Sequence, residues 1–137
     1  MKKVLKTLLV ASVLITFWGC GGGKYDDAIE VNKDFIKITE NYIQDLEDSN
    51  SSKDIVKAME NYSEQFKKLA PEMQKIKDKY PDMMTNSKIP EELKEMNKKA
   101  QQVGTKLAGS FMKIMKYMTD PEVVEAQKNM AEAMQGK

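Results

Sequence analysis

The sequence predicts an all-α, up-down helical bundle of three long helices plus a short fourth helix. Three observations carry that expectation. From Lys24 onward, apolar residues recur at spacings of three and four, the period of helices with one apolar face. The four prolines and seven glycines are confined to a few places, so breaks between elements are few. Each helix shows one apolar stripe, and such stripes can be buried only against one another.

The first helix is predicted from about Lys24 to Asp48. At 100° per residue, Tyr25, Ala28, Ile29, Phe35, Ile36, Tyr42, Ile43 and Leu46 fall within a stripe about 140° wide. Asp48, Ser49, Asn50 and Ser51 end it with turn and cap chemistry. Ser51 with Asp54 three residues on reads as a variant capping box that starts the second helix. Its seam, Ile55, Met59, Tyr62, Phe66, Leu69, Met73, Ile76 and Tyr80, alternates steps of four and three. Pro71 faces away from that seam, which predicts a bend with the helix resuming. Residues 80 to 89 break the pattern and form the next connection. Pro90, Glu91 and Glu92 suit the first turn of the third helix. Its predicted stripe, about 80° wide, holds Leu93, Met96, Ala100, Val103, Leu107, Phe111, Ile114 and Met118. Asp120 as N-cap and Pro121 as first residue open a fourth helix to about Met134, with Val123, Val124, Met130, Ala131 and Met134 as its apolar edge.

The N-terminus has a separate logic. Lys2, Lys3 and Lys6 precede an apolar run from Thr7 to Phe17, and Gly19 stands just before Cys20, the single cysteine. The run is too short to cross a bilayer, which takes about 20 apolar residues, and no A-x-A-like cleavage site follows it. This order of parts resembles bacterial lipoprotein signal peptides, with Phe17 and Trp18 where the usual lipobox has Leu and then Ala or Ser. The resemblance covers residues 1 to 23. It implies removal of residues 1–19, a diacylglyceryl group on the Cys20 thiol, and residues 20–23 as a lipidated cysteine and glycine tether. Residues 24–137 would then be one bundle domain in the cell envelope. Gly21 stands where inner-membrane lipoproteins have Asp, so the resemblance favours the outer membrane.

Composition removes several function classes. All 22 basic residues are Lys; Arg and His are absent. Without Arg there is no bidentate fork for phosphate or guanine edges, and the expectation is no nucleic-acid partner. Without His there is no imidazole base, haem ligand or zinc ligand. No disulfide can form, so the fold stands on its core. Glu91-Glu92 and Asp26-Asp27 sit at helix starts, where the macrodipole favours acids without any catalysis. The expectation is therefore no enzyme activity and no cofactor. Gly104 and Gly109 lie alone in the third helix, where they mark close helix approach or local weakness.

Two patterns remain as candidate sites. Residues 26 to 48 are strongly acidic, whereas residues 94 to 116 carry six Lys against Glu95. Lys98, Lys99, Lys106, Lys113 and Lys116 form a possible contact surface for anionic headgroups or an acidic partner; the competing reading is that an acidic and a basic helix neighbour one another. By position, Lys98 and Lys99 suit the neighbour role and Lys113 the open surface. Met112, Met115 and Met118 repeat at three-residue steps, and thioethers select Cu(I). They spread around the helix instead of converging, so they are weak metal candidates and gap-filling suits them better.

The expected function is that of a membrane-tethered lipoprotein acting as a non-catalytic interaction or structural module of the envelope. Its expected partners are the membrane, through the anchor, and an envelope protein. The alternative is a carrier of a small ligand, a haem-like group or copper in the bundle interior.

Overall fold

A computed structural model of the chain describes residues 23–81, 83 and 89–136. The helices are α1 (Asp26–Asp48), α2 (Ser52–Lys79), α3 (Lys94–Met115) and α4 (Pro121–Met134), with a 3-10 turn at Glu91–Leu93 before α3. Among the described residues there are four α-helices and no strand, the expected all-α bundle. None of these helices is long and apolar enough to cross a membrane.

Local chemistry sets the ends. Ser51 Oγ accepts from the Asp54 N–H at 3.2 Å and donates to Asp54 Oδ2 at 2.8 Å, while the Asn50 N–H donates to the same carboxylate at 3.0 Å. The orphan donors at the start of α2 are thereby used. Asp120 Oδ1 accepts from the Glu122 N–H at 2.9 Å at the start of α4, with Pro121 as its first residue. Hydrogen bonds from Ser52 and from that N–H hold the Asp120 carboxyl below the usual carboxylate range. Pro71 lies inside α2, which runs unbroken through it with Pro71 exposed; only the bond to the Lys67 carbonyl is forfeited.

The width of the α1 stripe follows from its having two partners. Tyr42 and Leu46 join Ile55, Met59, Tyr62 and Phe66 of α2, with Ile114, Val123 and Ala126, in the main core. Ile36 and Ile43 instead pack with Val103, flanked by Met96, Ala100 and Leu107 of α3. Helix α3 runs alongside α1 in the same direction, since Val103 packs near the middle of α1 and Lys113 reaches its C-terminal carbonyls. Helix α4 descends along α2 from Val123, beside Ile55. The largest fully buried side chains, Leu46, Ile55, Met59 and Val123, all lie at the end of the bundle near the α1–α2 turn. Burying each contributes about 1.5–3 kcal/mol.

Two expectations fail, and one of the two readings of the α3 glycines is removed. The buried positions of α3 are Val103, Ser110 and Ile114, with Leu107 half-buried, whereas Phe111 and Met118 are 43% and 39% exposed. The helix is therefore rotated from the predicted stripe, and it ends at Met115 instead of continuing through Met118. On α4, Val123, Ala126 and Ala133 are buried, while Val124 and Met134 are 48% and 44% exposed and Ala131 is exposed. Both helices carry more apolar residues than one partner can cover, and the partner chooses the face. Gly104 and Gly109 mark no close approach, because a Cβ at either would meet nothing within 4 Å.

Candidate functional site

Two surface features stand out, at opposite ends of the bundle. The first is a groove of about 600 Å³ between the N-terminal half of α1 and the C-terminal half of α2. Val31 and Phe35 line it from α1, and Phe66, Ala70, Met73, Ile76 and Tyr80 from α2; Met134 and Gly136 border it after α4. It exists because α4 has 14 residues and α2 has 28, so the fourth helix stops before the seam of α2 does. The edge-on pair Phe35–Phe66, with ring centroids 6.4 Å apart, stands where the closed core gives way to the groove.

Beside the groove, the first described residues of the chain are fastened to the end of α2. The Tyr80 hydroxyl lies 2.6 Å from the Lys24 carbonyl oxygen and 2.8 Å from Asp27 Oδ1. Lys79 pairs with the other oxygen of Asp27. These contacts, the lysine first, hold the Asp27 carboxyl below the usual carboxylate range. The Tyr25 and Tyr80 rings are 5.2 Å apart. The Gly23 N–H donates to Asp26 Oδ2 at 2.8 Å, and a Cβ on Gly23 would come within 2.7 Å of that carboxylate, which the Asp26 side chain can turn to avoid. Cys20 and the rest of residues 1–22 lie outside the described residues.

The second feature is the uncovered face of α3. Gly104, Ala108, Phe111 and Met115 follow one another at steps of four and three, a second seam about 90° around the helix from the buried one, with Met118 in the turn just beyond, and every one of them is exposed. Met112 and Met115 are 64% and 56% exposed. With Met118, 39% exposed, they lie on the outside of the molecule. Among the described residues no cluster of three or more acidic or cysteine side chains is placed to hold a metal.

The lysines divide. Lys98, Lys99, Lys106 and Lys116 are exposed and make no ion pair among the described residues. Lys113 is half-buried, and its ammonium meets the Glu47 carbonyl and, at 3.3 Å, that of Ser49. It satisfies the last carbonyls of α1, where the helix dipole favours a cation. That is the reverse of the expected division, because the rotation of α3 turns Lys113 toward α1.

One buried polar group stands apart. Tyr42 stacks on Tyr62 with centroids 4.7 Å apart, and its buried hydroxyl has no hydrogen-bond partner among the described residues. Burial, aided by the neighbouring Tyr62, pushes its phenol well above the ordinary range. Tyr62 has a partner 3.4 Å away in the Thr39 hydroxyl, which itself donates to the Phe35 carbonyl.

Sequence reasoning missed both the groove and the second seam of α3. The groove was legible only as a difference in helix lengths, and the second seam as the offset Gly104, Ala108, Phe111, Met115, Met118 pattern. Comparison with protein-family models, with curated proteins and with solved structures gives no match.

Proposed function

We propose that the protein is a membrane-tethered, non-catalytic module of the bacterial envelope that works by contact with a protein partner. The observation that carries this reading is the uncovered seam of α3, a row of Phe and Met side chains left open. Single exposed apolar residues are ordinary, whereas a contiguous apolar face marks an interaction surface.

Placement supports a protein over the bilayer. Cys20 stands three residues before Gly23, so the chain holds the anchor within about 10 Å of Gly23, at the turn into α1. Phe111, Met115 and Met118 sit at the other end, about 35 Å along a 23-residue helix. Lys98 and Lys99 lie nearer the anchor, and Lys106, two residues from both Gly104 and Ala108, projects from the opposite side of α3. A partner carrying its own apolar ridge complements that face.

Two measurements test the reading. Intact-mass analysis of the membrane-derived protein should show a mature N-terminus at Cys20 bearing acyl chains, and Cys20→Ser should lose membrane partitioning; an unacylated N-terminus in the native protein removes the tether. A photo-crosslinker at Met115 should give one discrete protein adduct in membranes, abolished by Phe111→Asp, whereas a crosslinker at exposed Glu64 should give none. Equal labelling from both positions removes the contact face.

A further inference from the structure

We propose that the groove between α1 and α2 binds a long-chain fatty acid, its acyl chain against the apolar wall and its carboxylate at Lys77. The groove volume of about 600 Å³ lies within the range of about 300–1,000 Å³ for small-molecule sites. Phe66 to Tyr80 is about 22 Å of helix, roughly the span of one extended long acyl chain. The wall offers aromatic rings, branched carbon and the thioethers of Met73 and Met134, which adapt their shape to an apolar ligand. Among the described lining residues, Lys77 is the single charged one.

That combination selects an amphiphile with one negative head. A wholly apolar ligand has no use for the ammonium. Tyr80 offers the head no competing donor, because its hydroxyl already lies against Lys24 and Asp27. The protein's own anchor fits less well: an acyl group joined to Cys20 through thioether, ester or amide links carries no acid for Lys77. The proposal stands apart from the α3 contact face and does not need it.

The full chain purified from membranes and its Cys20→Ser form are titrated with cis-parinaric acid, a fluorescent fatty acid. Bound probe is then chased with palmitate, with hexadecanol, or with phosphatidylglycerol vesicles. Both proteins should bind the probe, and palmitate should displace it about tenfold better than hexadecanol, the ratio expected for one charge-assisted contact. Ala70→Trp, which fills the groove, should weaken binding by about tenfold or more. Lys77→Gln, at an exposed position, should erase the preference for palmitate while leaving melting nearly unchanged, which keeps the test decisive if Ala70→Trp folds poorly. Phe111→Asp should bind as the parent does. Absence of probe binding, unaltered binding in Ala70→Trp with native melting, or equal displacement by acid and alcohol overturns the proposal. Binding confined to Cys20→Ser would assign the groove to the protein's own anchor, and displacement by vesicles but not palmitate would assign it to phospholipid; either result overturns the fatty-acid assignment.

Discussion

The two ends of the α1–α2 pair are built from the same seam and have opposite fates. Near the turn between the helices, Leu46, Ile55 and Met59 are covered by Ile114, Val123 and Ala126 and reach zero exposure. At the other end Phe35, Met73 and Ile76 continue the same pattern, yet no helix among the described residues lies over them and a groove remains. Hydrophobic patterning marks where apolar side chains point; whether they become core depends on whether another element arrives to cover them. The closed end supplies stability, and the open end retains apolar surface that a ligand can use.

The largest expected effect comes from comparing one deletion at each end. Leu46→Ala should cost about 3–5 kcal/mol, the cost of a cavity in a region with no room to relax. Met73→Ala, on a wall already open, should cost about 1 kcal/mol or less, since little enclosed packing is lost. Denaturant midpoints at constant slope measure both. Similar losses would mean that the groove is closed in solution.

A smaller effect of opposite sign comes from Tyr42. Its buried hydroxyl has no partner among the described residues, so Tyr42→Phe should leave stability unchanged or raise it by about 1 kcal/mol. Burial raises the folded-state ionisation of both Tyr42 and Tyr62 above the ordinary 10.0. Their contribution is therefore complete below about pH 10 and is lost as pH climbs above it, because the unfolded chain gives up the phenolic protons first. Alkaline unfolding should be steep in the parent and shallower in Tyr42→Phe. An unchanged alkaline limb would show that Tyr42 reaches water.

The smallest difference separates two lysines of α3. Lys113→Ala removes the cation from the end of α1 and should cost about 0.5–1 kcal/mol. Lys98→Ala, exposed and unpaired among the described residues, should change stability by less than about 0.5 kcal/mol. Thermal melting of the two side by side checks the rotation of α3: equal effects would return the helix to the face that its apolar pattern suggested.

That rotation marks where one-dimensional reading stops. Ser110 is buried and Phe111 exposed, against every hydrophobicity ranking. The cause is that α3 touches α1 along one side, where Ile36 and Ile43 receive Val103 and Leu107, and the next residue around the helix is then excluded. The two seams of α3 are interleaved, and their apolar content alone does not rank them. On α4 the same competition leaves Val124 and Met134 open while Ala126 and Ala133 are covered.

Helix number, order and most boundaries follow from local chemistry that any reader of the chain can apply. The Ser51–Asp54 box, the Asp120–Pro121 start and the regular seam of α2 are each contained within a few residues, because caps and amphipathic periods are short-range properties of the backbone. The composition that argues against imidazole chemistry and disulfides is equally legible. Which of two apolar faces is buried, which lysine caps a neighbouring helix and which stretch of seam stays open were decided only when the helices packed. Each depends on the length and position of a partner distant in sequence, and burial is a property of the pair.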